Sequence, residues 1–270
     1  MIKTNHKNIR SLVGGAIILM SAFTVSVAQT LINDNGYTDT SKYQNVQNTG
    51  AFSLSGTSIK LINKNVTLYR VFDDGFSITL GELNSGDSLS MSFNCAYENL
   101  PANAELSFGF VNYTGTVTTS NNVIHVYDRP GTVYDSTFRY RNNNVNLTDW
   151  DATAVGTKWF DNKETPNLKD TQAHTVTFTV TAGDIIGTDH YYTLGYYLDG
   201  TTITEQSNLL LNTQINYAIT GVALRTGDDG NFYLNNLSVT HFAIPEPSAI
   251  VLLGLGAGLL VVTTALRRRR

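Results

Sequence analysis

The stretch "DSLSMSFNCAY" alternates without a slip. Leu89, Met91, Phe93 and Cys95 are apolar, and Ser88, Ser90, Ser92 and Asn94 between them are small and polar. A period of two sends successive side chains to opposite faces, so this is a strand with one face on a core and the other in water. A helix cannot use the pattern, because a 3.6-residue repeat would scatter the apolar groups around its circumference. "HTVTFTVTAG" repeats it, with Val176, Phe178 and Val180 set between threonines, and "AELSFGFVNY" repeats it with Leu106, Phe108 and Phe110. The in-phase residues Leu89, Met91, Phe93, Phe108, Phe110, Val176, Phe178 and Val180 are therefore expected in a core. A sheet with one apolar face must cover it with a second layer.

Further strands are expected in "NVTLYRV", "NVIHVYD", "STFRYRN", "YYTLGYYLDG", "YAITGVALRT" and "NFYLNNLSVTHF". Between them lie "FDDG", "NSGD", "TAGD", "LDGT" and "TGDDG", whose Asn, Asp and Gly suit turns. No long helical period appears between residues 29 and 244. The fold class read here is all-β: one two-sheet antiparallel β-sandwich. Residues 141–170 show little alternation and read as a long loop region over a face or edge of the sandwich.

Between Gln29 and Ile244 there are 11 Lys plus Arg and 21 Asp plus Glu, a net charge of −10. So acidic a body repels nucleic acid and excludes DNA or RNA as a partner. Cys95 is the only cysteine. The fold cannot rest on an internal disulfide, and the phase of Cys95 makes it a buried small apolar residue rather than a nucleophile.

The two ends differ from this body. Lys3, Lys7 and Arg10 precede a mostly apolar run from Leu12 to Val27, and Ser26-Val27-Ala28 offers small residues for cleavage between Ala28 and Gln29. Residues 1–28 thus read as a secretory signal peptide, helical in its apolar run, with a retained N-terminal anchor as the rival. At the other end Ser248 to Leu266 is 19 residues without a charge, followed by Arg267, Arg268, Arg269 and Arg270. As a helix that run spans about 28 Å, one bilayer core. The arginines belong on the cytoplasmic side, which places the body outside, as the signal also requires. Pro245-Glu246-Pro247 before the run is held extended, since each proline removes a donor and restricts its predecessor. The organisation is 1–28 signal peptide, 29–244 β-sandwich ectodomain and 245–270 tail, with a transmembrane helix over 248–266.

No catalytic constellation is visible. Paired carboxylates on one strand, a Gly-x-Ser-x-Gly elbow and His-Glu-x-x-His are all missing. The expectation is a non-enzyme with no cofactor and no metal. The acidic turns "TGDDGN" and "YYLDGT" leave Ca2+ as an alternative, although neither has the spaced oxygen ligands of a calcium loop. For sugar binding, flat rings beside hydrogen-bonding groups are the relevant signal. Trp150 and Trp159 lie among Asp and Asn, and "DHYYTLGYYLDG" supplies Tyr191, Tyr192, Tyr196 and Tyr197. Trp150, Trp159, Tyr191 and Tyr196 are the candidate glycan contacts, against the reading that they only pack.

Pro245, Glu246 and Pro247, a single apolar span and the Arg267–Arg270 cluster resemble the PEP-CTERM sorting signal of Gram-negative bacteria. The resemblance implies recognition by exosortase, a membrane cysteine transpeptidase, and removal of the tail after an inner-membrane intermediate. It also implies delivery to the cell surface or an exopolysaccharide matrix. "HTVTFTVTAG…YYTLGYYLDGTTIT" and "ITGVALRTGDDGNFYLNNLSVTHF" are similar to the central hairpin and closing strands of laminin-G/concanavalin-like jelly rolls. Asn235-Asn236 stands where those usually carry Asp-Asn, so no ligand role passes to Asn235. The expected partners are signal peptidase and exosortase during export, the membrane through the tail, and exopolysaccharide. The expected function is a structural or adhesive surface protein, with carbohydrate binding as a further expectation. The alternatives are a secreted glycan-active enzyme and an uncleaved membrane-anchored surface protein.

Overall fold

The computed structural model describes residues 26–37, 41–45, 51–62, 66–99, 104–114, 121–128, 137–141, 158–161, 168, 170–211, 218–227 and 231–244. Within them the chain forms β1 (Val27–Asp34), β2 (Tyr43–Asn45), β3 (Ala51–Ser55), β4 (Ser58–Ile62), β5 (Val66–Val71), β6 (Ser88–Tyr97), β7 (Leu106–Asn112) and β8 (Asn121–Asp128). There follow β9 (Thr137–Arg141), β10 (Lys158–Asp161), β11 (His174–Ile186), β12 (Asp189–Leu198), β13 (Thr201–Leu210), β14 (Gly221–Thr226) and β15 (Phe232–Ala243). Single 3-10 turns sit at Asp73–Gly75 and Leu80–Glu82. Among the described residues no helix is long and apolar enough to cross a membrane. The expected signal helix and the expected helix over 248–266 lie outside the described residues.

Two antiparallel sheets result. One has eight strands in the order β13-β12-β11-β6-β15-β4-β3, with β1 added to β15, and the other has seven in the order β10-β9-β8-β7-β14-β5-β2. Neighbours along both paths pair antiparallel. Consecutive strands change sheet at β1–β2, β2–β3, β4–β5, β5–β6, β6–β7, β10–β11, β13–β14 and β14–β15, which wraps the chain around one core. The compact body spans Ala28–Phe242.

The core lies between the sheets. All eight of the in-phase residues expected there are buried, and so is Cys95. Phe93 on β6 meets Phe108 on β7 edge to face, with centroids 5.2 Å apart at 75°. Phe178 on β11 lies 5.8 Å from Phe110 on the opposite sheet. Such pairs add about 0.5–1.5 kcal/mol each beyond the area they bury. Because both sheets contribute, losing one ring opens a cavity that neither sheet can close alone.

Three local expectations are corrected. "TAGD" is not a turn: β11 runs through it, and a register shift between Ala182 and Ile185 absorbs the extra residue as a bulge. The chain reverses instead at Gly187, where φ is +67°. The stretch 141–170 is not all loop, since Lys158–Asp161 pairs with β9 as an edge strand. Four residues are too few to show a period. Finally, β7 is buried along its whole length rather than on one face. The glycine and serine at its outward positions hide this, because small residues do not announce burial.

Candidate functional site

On the eight-stranded sheet the alternation leaves a hydroxyl-rich outer face. β6 sends Ser88, Ser90, Ser92 and Asn94 outward, and β11 sends Thr175, Thr177, Thr179 and Thr181. Register aligns these in rows: Tyr197–Thr177–Ser92–Ser238, then Gly195–Thr179–Ser90–Thr240 one pleat along. Neighbours link laterally, with Ser92 Oγ 3.0 Å from Thr177 Oγ1 and Thr175 donating to Asn94 at 2.9 Å.

The same period sorts the tyrosines of β12. Tyr191 and Tyr197 lie on the outer face and are partly exposed. Tyr192 and Tyr196 point inward. Tyr196 is only 2 % exposed and lies 5.8 Å from Phe108, so the expectation that it contacts a glycan is corrected: its ring belongs to the core. Tyr192 donates to the carbonyl of Leu80, and burial pushes its hydroxyl up to about 12. Tyr191 and Tyr196 are five apart, an odd separation, so a strand could never present both to one ligand. Tyr197 is the residue the sequence reading passed over, and parity with Tyr191 was the signal. Trp150 lies outside the described residues. Trp159 belongs to β10, paired with Arg139, and its side chain lies outside them too.

Several charged side chains among the described residues pair with one another. His174 lies between two carboxylates, with Nδ1 2.7 Å from Asp199 and Nε2 2.8 Å from Asp170. A neutral imidazole has one N–H, so two carboxylate partners favour the imidazolium. Burial would lower the pKa of His174, but the hydrogen bonds and charges of Asp199 and Asp170 raise it. Asp199 also accepts the Thr175 N–H at 2.8 Å. The carboxylate of the "YYLDGT" turn is thus taken, and Asp228 and Asp229 of "TGDDGN" lie outside the described residues. Among the described residues no group of three or more His, Cys, Asp or Glu is placed to hold a metal.

Deeper in, Arg70 on β5 binds Asp34 at the end of β1 through Nε at 2.8 Å and Asp73 through Nη2 at 2.9 Å. Tyr43 donates to Asp34 at 2.8 Å. Burial would raise Asp34, but Arg70, Tyr43 and Lys42 hold its carboxyl below the ordinary value. On the outer face, hydrogen bonds from Lys60, Asn231 and Tyr233 hold Glu98 down to about 2.

Both ends of the body are strands of one sheet. β15 gives one edge to β6 from Phe232 to Phe242 and the other to β4 over Phe232–Leu234. β1 also pairs with β15, so it takes the second edge beyond Leu234. Ala28 and Gln29, the expected cleavage pair, sit near the start of β1 and are exposed, while Leu31 and Ile32 are buried. A cut there removes only exposed strand residues. Asn235 and Asn236 form a bulge in β15: Asn236 has φ +51° and donates its N–H to Asn235 Oδ1 at 2.8 Å. The last strand residue is Ala243. Pro245, Glu246, Pro247 and Arg267–Arg270 lie outside the described residues.

Residues 243–270 match the PEP-CTERM protein-sorting motif. No curated protein matches the chain. Among solved structures the chain is similar to the carbohydrate recognition domain of Emp47p, at 16 % identity and a TM-score of 0.46, covering 80 % of this chain and 94 % of that one. It is also similar to lectin II from Ulex europaeus, at 10 % identity and a TM-score of 0.46, covering 82 % and 99 %. A third is an endo-beta-1,4-glucuronan lyase from the fungus Trichoderma reesei, at 10 % identity and a TM-score of 0.48, covering 78 % of this chain and 95 % of that one. The sorting motif places the chain on the exosortase route to the cell surface.

Proposed function

We propose that the chain is an exported surface or matrix protein in which residues 29–244 do the work and residues 245–270 are a removable address. The sandwich acts structurally or adhesively, binds glycan and catalyses nothing. The observation that carries this reading is the position of the sorting motif, which begins on the final residue of the last strand. Nothing of β15 before Ala243 need be sacrificed when the tail is removed. The charged groups fit the structural part. Asp34, Glu98, Asp170 and Asp199 are all held in ion pairs that lower their pKa, which suits fixed anions and not proton donors.

The test is to replace Pro245, Glu246 and Pro247 together by alanine and fractionate the producing cells. The parent body is expected outside the membrane fraction, and the variant retained in it. Equal release of both would refute sorting through this motif.

A further inference from the structure

We propose that the outer face of the eight-stranded sheet is a binding site for a neutral polysaccharide chain, with Tyr197 as its stacking platform. This deepens the adhesive reading above and rests on it. The key feature of this face is a missing side chain. Alternation puts residue 195 on the outer face, in a row with Thr179, and the residue there is glycine. A Cβ at Gly195 would meet Tyr197 Oη at 2.6 Å, Tyr197 Cε2 at 2.7 Å and Thr179 Oγ1 at 2.6 Å. The Tyr197 ring therefore lies down along its own strand, over Gly195, in space that any other residue would fill. Its hydroxyl donates to Glu205 at 3.0 Å and is hydrogen-bonded with Thr179. Backbone beneath and two partners at the tip hold the ring over Gly195, and Tyr197 stays partly exposed there.

A ring presented this way offers an apolar plate rimmed by hydrogen-bonding groups. Sugars need that combination, since their C–H faces stack on aromatic rings while their hydroxyls seek polar partners. The hydroxyls beside the plate, Thr177 and Ser92, are already linked to each other. They are ordered before any ligand arrives, which reduces the entropy lost on binding. Rows repeat roughly every 6.6 Å along a strand and strands stand about 4.8 Å apart. The platform is thus one end of a surface wide enough for an extended chain, whose weak contacts add along its length.

Charge selects the kind of chain. From Thr175 to Thr181 on β11 and from Ser88 to Asn94 on β6, every outward side chain is uncharged. Glu205 at the margin is occupied by Tyr197. The body as a whole carries −10. An anionic polymer is repelled by that field, and a cationic one finds the carboxylates of this face, Glu98 and Glu205, already held by Lys60 and Tyr197. A neutral polymer meets neither cost.

The experiment is native affinity electrophoresis of the full chain in mild detergent, in gels containing dextran, hydroxyethylcellulose or alginate. The parent should be retarded by at least one neutral polymer and not by alginate. Tyr197→Ala should weaken that apparent affinity at least tenfold, while Tyr197→Phe, which keeps the plate, should lose less than threefold. Thr177→Glu leaves the ring in place but charges the face, and should also abolish retardation. Circular dichroism confirms that each variant is folded. Retardation unchanged in both Tyr197→Ala and Thr177→Glu overturns this site and leaves glycan adhesion standing elsewhere. No retardation in any neutral gel overturns both. Retardation by alginate alone, or a dimer that buries this face and ignores all three polymers, also overturns the proposal.

Discussion

The outer faces of the two sheets are made by the same strand geometry and end in opposite environments. On the eight-stranded sheet, the residues opposite the core are Ser, Thr and Asn, and they stay partly open. On the seven-stranded sheet, Tyr69 on β5, Val111 on β7 and Ala223 on β14 are buried in a small cluster of their own, with Tyr113 packed against it. Tyr69 and Tyr113 stack with centroids 5.2 Å apart at 26°. His125 on β8 shares the row of Ala223 and Gly109 and is fully buried. Over β5, β7 and β14 the seven-stranded sheet therefore buries both faces, whereas β6 and β11 bury one. A tyrosine means something different on each: Tyr69 is core, and Tyr197 is surface.

The contrast can be broken by substitution. Tyr69→Ala should cost about 3 kcal/mol of stability, because a fully buried aromatic leaves a cavity. Chemical denaturation would measure it, and a loss below about 1 kcal/mol would mean that the outer face of the seven-stranded sheet is not a packed layer. Next in size is Gly109→Ala. Its Cβ would meet Ile124 O at 2.3 Å and His125 Cα at 2.4 Å, both backbone. Neither atom can move without shifting β8, so a loss of about 1–3 kcal/mol is expected. Tyr197→Ala, on the open face, should cost under about 1 kcal/mol. Thr179→Val on the same face should stay within about 0.5 kcal/mol, provided Tyr197 keeps its bond to Glu205.

Two histidines extend the comparison to pH. His174 sits at the open margin between Asp170 and Asp199, with its pKa raised above 6.5. Its contribution to stability is complete below pH 6.5 and is lost as pH rises through the higher folded value. His241 is buried against Phe76, at 5.4 Å, and burial lowers its pKa despite Asp87. Its contribution is complete above pH 6.5 and fades as pH falls toward the lower folded value. NMR titration should find the two midpoints on opposite sides of 6.5. Coincident midpoints would mean that the clasp on His174 is absent in solution.

Sequence reading succeeded where one face was wet. β6 and β11 alternate apolar with hydroxyl residues because water and core impose opposite demands on neighbouring positions. It failed where both faces were buried. β7 reads as alternation because Ser107 and Gly109 are small, yet they are as buried as Phe108. Short elements also escaped: β2, β3 and β4 have three to five residues each, too few for a period to register. The candidate site was half legible. A tyrosine-rich β12 was visible, but grouping Tyr196 with Tyr191 ignored parity, and the flat seat of Tyr197 depends on Gly195, whose role is a contact and not a pattern. The ion pairs of Arg70 and His174 join residues 36 and 25 positions apart, which no local motif encodes.

Intact mass and C-terminal peptide mapping of the protein from its native cells test the central claim most directly. The account predicts a chain that begins at Gln29 and lacks the apolar run and Arg267–Arg270. A mature protein that still ends in Arg270 would contradict it.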